Sequence, residues 1–185
     1  MTVGNPHWTG RDVLLHLGNA GLTEWVTGYH RAGAPSGWAG AMIERDGLGA
    51  AARGLRQYLL AVAAKLDVPA WFCDVDAPAG AYLALERRLT RFPGHETALL
   101  WDERDGWAAA VESATGEDVI VLAYLGGDVL PPPETVVAFV RDLYGEEYPG
   151  QPDPPGFRRA GAPDGFDERL AAHAGDTVPL PEGHS

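Results

Sequence analysis

A single cysteine, Cys73, excludes an internal disulfide and leaves no CxxC pair for zinc. It lies in the apolar run Ala70-Trp71-Phe72-Cys73 with no histidine near it in sequence, so it reads as a small buried hydrophobe, not a thiolate. No apolar stretch approaches the ~20 residues that span a bilayer. Met1-Thr2-Val3-Gly4-Asn5-Pro6 lacks the charged start and apolar run of a signal peptide. The expectation is a cytoplasmic protein without a membrane partner. The six histidines form neither HxH nor HExxH, and Ser36, Ser113 and Ser185 sit in no GxSxG context. No catalytic residue, metal ligand or cofactor is therefore assigned. Repeats and heptads are also missing.

Basic residues are scarce: 14 Lys and Arg stand against 26 Asp and Glu, for a net charge of −12. The imbalance is local. Residues 67–150 hold five basic and sixteen acidic side chains, whereas residues 1–66 hold six and four. An acidic segment repels phosphate backbones, which argues against nucleic acid as a partner. It would attract a cationic partner or metal ions, or simply keep the surface soluble.

Hydrophobic residues make up 45%, enough for a globular core, while 24 Gly and 15 Pro gather towards the two ends. Three zones follow. Residues 1–47 form an aromatic-rich helical extension, with Thr9 as a helix cap and Trp8, Trp25 and Trp38 in need of a surface to cover. Residues 48–145 form the core domain. Residues 146–185 form a Pro/Gly-rich tail, expected to be largely disordered except for a turn of helix around 167–173.

Within the core, Leu48, Ala52, Leu55, Leu59, Val62 and Leu66 recur at spacings of three and four, which predicts an amphipathic helix over 49–66. Pro69 ends it. Strands are expected at 71–75, 81–85, 97–101, 107–111 and 119–125. Asp102-Glu103-Arg104-Asp105-Gly106 between two apolar runs is a hairpin signal. Val119 to Leu125 is apolar throughout, as suits a strand buried on both faces, and is placed at the centre of the sheet. Pro131-Pro132-Pro133 opens a last helix reaching to about Tyr144. The expected fold class is α+β: a small antiparallel sheet of three to five strands flanked by an N-terminal and a C-terminal helix.

The candidate chemistry is sparse. Asp102, Glu103 and Asp105 cluster at the hairpin tip, where solvent keeps carboxylates ordinary, so a plain polar turn is expected. Trp101 and Trp107 bracket that turn and face each other if the register allows, either as a structural clamp or as an exposed platform. Gly126-Gly127-Asp128 leads into a helix, but it lacks P-loop spacing, and its prolines remove the donors an anion would need. Arg87, Arg88 and Arg91 form one basic cluster, expected to pair with nearby acids. His95-Glu96 reads as a loop.

The blocks Ala81-Tyr82-Leu83-Ala84-Leu85, Ala98-Leu99-Leu100-Trp101-Asp102-Glu103 with Gly106-Trp107-Ala108, and Val121-Leu122-Ala123-Tyr124-Leu125-Gly126-Gly127-Asp128-Val129-Leu130-Pro131-Pro132-Pro133 carry a resemblance. Over residues 54–140 the chain resembles a family of small actinobacterial proteins known only as a domain of unknown function. That resemblance implies no activity.

Two functions remain open on the sequence. One is a protein-interaction or regulatory module without catalysis, its sheet supplying a binding face and its tryptophans a docking segment. The other is a small-molecule binder or cofactor-independent enzyme of secondary metabolism. Its pocket would lie between sheet and helices, lined by Tyr82, Trp101, Trp107 and Tyr124 with Asp102 or Asp128 as the polar group. A weaker reading is an immunity protein or chaperone masking a basic partner. An edge strand or the tryptophans could also support a homodimer.

Overall fold

A computed structural model of the chain describes residues 49–68, 71–75, 79–112, 119–145, 147 and 149–175. The expected N-terminal helices, Trp8, Trp25 and Trp38, and the Thr115-Gly116-Glu117-Asp118 turn lie outside these residues.

The first helix, α1 (Ala50–Leu66), buries Leu55, Tyr58, Leu59 and Val62 on the stripe that the three–four spacing laid out. It ends at Asp67, which turns left-handed at φ 53° while the Val68 N–H reaches back to the Ala63 carbonyl. That reach satisfies a carbonyl the helix end would leave orphaned.

Five strands follow: β1 (Trp71–Asp74), β2 (Gly80–Leu85), β3 (Thr97–Asp102), β4 (Gly106–Glu112) and β5 (Val119–Tyr124). Each pairs antiparallel with the next in the order β1-β2-β3-β4-β5. Short connections turn β2, β4 and β5 back beside their predecessors, while residues 86–96 form a longer loop between β2 and β3. Then come α2 (Pro133–Tyr144), started by a proline in its first turn, and a short α3 (Phe166–Ala172). The α+β reading holds. Among the described residues no helix is long and apolar enough to cross a membrane.

Period-two alternation splits the sheet residues into two clusters. Leu83, Leu99, Trp101, Trp107, Ala109 and Val111 face the helices and join Leu55, Leu59, Val136, Phe139, Phe166 and Leu170 in the main core. Tyr82, Ala98, Leu100, Ala108, Ala110, Val119 and Tyr124 make a second buried cluster on the opposite face.

Two expectations are corrected. The Val119 strand is not central: the meander puts it last, at an edge, and β3 takes the middle. Its unbroken apolar sequence is still used on both faces, because Ile120, Leu122 and Ala123 pack against the main core and Val121 against the second cluster. The C-terminal tail differs as well, since residues 149–175 lie on the domain instead of leaving it. Phe166 and Leu170 are buried, and α3 rests on α1 so closely that a Cβ on Gly54 would stand 1.7 Å from the Leu170 carbonyl oxygen. Only glycine at 54 admits that approach. The high Gly and Pro content builds a folded strap here: a few well-placed apolar residues anchor it despite the low average hydrophobicity.

Candidate functional site

The four aromatics of the expected pocket do not meet. Trp101 and Trp107 are direct cross-strand partners on the helix-facing side, 0% and 1% exposed. The Trp101 indole donates to the Val129 carbonyl at 2.7 Å, and its ring stacks on Phe166 with an interplanar angle of 14°. The Trp107 indole donates to the Tyr58 hydroxyl at 2.8 Å, and that hydroxyl donates to the Pro131 carbonyl at 2.8 Å. This chain of bonds ties β4 through α1 to the start of α2. Burial pushes the Tyr58 phenol far above its ordinary value, so it stays a neutral donor. The tryptophans are therefore a structural clamp.

Tyr82 and Tyr124 lie on the other face. The Tyr82 hydroxyl donates to Glu112 Oε1 at 2.7 Å. Burial, reinforced by the nearby Asp105 and Asp102 carboxylates, pushes the Tyr124 phenol up to about 12.

The hairpin tip is buried, contrary to its expected solvation. Asp102, Glu103 and Asp105 all lie within the structure because the strap folds over them. Asp102 Oδ1 accepts from the Arg104 and Asp105 amides at 2.7 and 2.8 Å, closing the turn. Burial still dominates its titration and raises its carboxyl to about 6. Asp105 Oδ1 accepts from the Gly156 amide at 2.9 Å. Glu103 Oε1 accepts from the Ala79 amide at 3.0 Å, while Oε2 accepts from the Gly161 amide at 3.1 Å and pairs with Arg158.

Arg158 is the key of the strap. Its side chain and that of Glu103 are each 6% exposed. Its Nε and Nη2 also make a two-pronged contact with Asp164 at 2.8 and 2.9 Å, and its guanidinium lies 4.1 Å from the Phe166 ring centroid. Asp164 and then Glu103 hold Arg158 firmly charged, and Arg158 in turn holds Asp164 below the usual carboxylate range.

A shallow cavity of about 240 Å³ opens between this strap and the Gly127-Asp128-Val129 loop, bordered by Phe157, Arg158, Asp164, Phe166 and Arg169. Of the sequence-predicted site residues it contains Asp128. Burial works to raise the Asp128 carboxyl, but the Leu130 amide and Arg169, with the Val129 amide, hold it below its ordinary range. Arg169 Nη2 lies 2.8 and 3.0 Å from its two oxygens. The cavity's charges are thus matched in pairs. Sequence reasoning missed its tail residues because the tail was expected to be disordered. The spacing of Phe157, Phe166 and Leu170 around Arg158 was the available signal.

Residues 58–142 match the model of a family of unknown function, DUF6292. No curated protein matches the chain, and no solved structure does. The matched span runs from the middle of α1 to the last turn of α2. It includes the whole sheet but stops before the strap and its Arg158 clasp.

Of the basic cluster, Arg88 pairs with an acid, Glu96, as expected, whereas Arg87 stacks 4.3 Å over the Tyr144 ring. Arg91 Nη2 donates to the Glu147 carbonyl at 3.2 Å. His95 Nδ1 lies 2.6 Å from the Glu112 carbonyl oxygen, joining its loop to the end of β4.

The remaining feature is the outer edge of β5. Tyr124 exchanges two backbone bonds with Gln151, N to O at 2.7 and 2.8 Å. Among the described residues this is the one bridge on that edge. Continued antiparallel, it would set Pro152, Asp153, Pro154 and Pro155 against Ala123, Leu122, Val121 and Ile120. Three prolines cannot donate to a ladder and fix their own φ, so the strap leaves β5 after one residue. Residues 119–123 form an edge without a single charge or proline, two of the devices that blunt such an edge, and one irregularity, at Leu122, interrupts its pairing with β4.

Proposed function

We propose that this domain is a protein-interaction module that takes up a β-strand along the outer edge of β5. One observation carries the reading: a strand whose sequence suits the centre of a sheet stands at its edge, and the chain's own strap is kept off by proline. An added strand would satisfy the outward N–H and C=O groups and cover the half-buried Ile120, Val121, Leu122 and Ala123. Main-chain bonds would supply affinity. The apolar side chains on both faces would select the partner. We place this activity in an actinobacterium, as the sequence resemblance implies, and in the cytoplasm, as the absence of a bilayer-length apolar run in the sequence suggests.

The test uses a synthetic peptide carrying the sequence of residues 119–124, flanked by lysines for solubility, added to dilute isotopically labelled protein. Binding that shifts the amide resonances of residues 119–123 supports the reading. Binding elsewhere, or none at millimolar peptide, contradicts it.

The cavity beside Asp128 favours a second reading, a small-molecule site. The exposed Asp128–Arg169 pair is its weakest wall, because ion pairs in solvent contribute little. A small carboxylate could displace Asp128 from Arg169. Thermal-shift titration with acetate and benzoate, repeated on Arg169→Ala, tests this: stabilisation that vanishes in the variant supports it, and no stabilisation contradicts it.

A further inference from the structure

We propose that the strand added to β5 is β5 of a second copy of this chain, pairing antiparallel about a twofold axis; the inference rests on the edge reading above. An incoming strand must be apolar on both faces. On its helix-facing side it would lie beside Ile120, Leu122 and Ala123, and on its other side beside Val121 and the end of the Tyr82–Tyr124 cluster. Val119-Ile120-Val121-Leu122-Ala123-Tyr124 meets that requirement at every position. Most strands that alternate polar and apolar residues would bury polar side chains on one face.

Geometry fixes the register. The Gln151 bridge occupies Tyr124, so residues 119–123 are free for pairing among the described contacts. A twofold pairing sets Val121 opposite Val121 of the second copy and Ile120 opposite Leu122, each pair sharing a face, and the bulge at Leu122 ends the regular ladder before Ala123. Facing Cβ atoms then lie about 4.5–5.5 Å apart. Such an interface is self-complementary and closes on itself, so the association ends at two copies instead of growing into a fibre. The seam holds no charge, while each whole chain carries −12. Repulsion between the two copies is then long-range and screened by salt, so added salt strengthens the pair. Docking of a basic partner on an acidic face would respond in the opposite sense.

The experiment is sedimentation of the full chain from about 1 to about 100 µM at low and moderate salt, with Val121→Lys alongside. The wild type is expected to pass from the 19.7 kDa of one chain to twice that mass, at lower concentration in higher salt. The Val121→Lys protein, with two ammonium groups facing each other at the seam, is expected to stay at the single-chain mass with an unchanged circular dichroism spectrum. A wild type that stays single at 100 µM, or a variant that still doubles, overturns the inference. The β5 peptide separates the two readings. A single-chain wild type that still binds the peptide on residues 119–123 loses the second copy and keeps the edge. One that binds neither loses both.

Discussion

Tyr124 and Gln151 exchange both of their backbone hydrogen bonds, at 2.7 and 2.8 Å, and the pairing between strap and sheet ends there. The bridge depends on its neighbour Gly150, which sits at φ +79° and where a Cβ would stand 2.1 Å from the Tyr124 carbonyl oxygen. Gly150→Ala combines a left-handed penalty with a backbone clash. A loss of about 2–4 kcal/mol is expected in urea unfolding. A change under about 0.5 kcal/mol would mean that the strap is not anchored at this point.

Arg158 and Glu103 are a buried pair, and removing one partner leaves the other charged, desolvated and uncompensated. Arg158→Ala is expected to cost about 3–5 kcal/mol. Proteolysis should then cut the strap near residues 152–162 well before the sheet. Asp164→Asn keeps the Glu103 contact and touches a half-exposed group, so it should cost far less. Equal losses in the two variants would contradict the assignment of Arg158 as the clasp.

Asp102 makes stability depend on pH in a definite direction. Its folded carboxyl titrates near 6, above its unfolded value of 3.8. Protonation therefore favours the fold. The associated stability is present in full below about pH 4 and is lost as pH rises through about 6, by roughly 1–3 kcal/mol. Asp102→Asn keeps an acceptor for the Arg104 and Asp105 amides and removes the charge. Urea midpoints measured between about pH 4 and 7.5 should fall with pH in the wild type and flatten in the variant. Identical slopes would contradict the burial of this carboxylate.

The Tyr58 hydroxyl serves two partners at once. Tyr58→Phe leaves the Trp107 indole and the Pro131 carbonyl unsatisfied in the core, at a cost of about 1–3 kcal/mol. In Trp107→Phe, Tyr58 loses one partner but keeps Pro131. A double-mutant cycle should show a coupling of about 0.5–2 kcal/mol. Strict additivity would contradict the bond between them.

The sheet and its helices were legible because their signals are local. Leu55, Leu59 and Val62 announce α1 by spacing alone, and the polar turn before Gly106 announces the β3–β4 hairpin. Trp101 and Trp107 were legible as a facing pair for the same reason. Strand order was less so. An apolar run such as residues 119–124 reports that both faces are covered, not that both edges are paired. The buried tip was hidden for a different reason. Asp102, Glu103 and Asp105 are turn residues by every local rule, and contacts distant in sequence, from Ala79 and above all from Gly156, Arg158 and Gly161 about 50 residues away, take them out of water. The same long-range contacts turn a Gly- and Pro-rich tail into a fastened strap. Tyr82 and Tyr124 could not be separated from the tryptophans by composition; strand parity, set by register, put them on the other face.

The open edge of β5 is the central claim, and amide hydrogen exchange in dilute protein tests it most directly. The amides of residues 119–123 that are not bonded to β4 are expected to exchange far faster than those of Leu99 and Leu100 in central β3. They should become protected as protein concentration or added β5 peptide rises. Equal, concentration-independent protection of β5 and β3 would show that the edge is already closed and would contradict the claim.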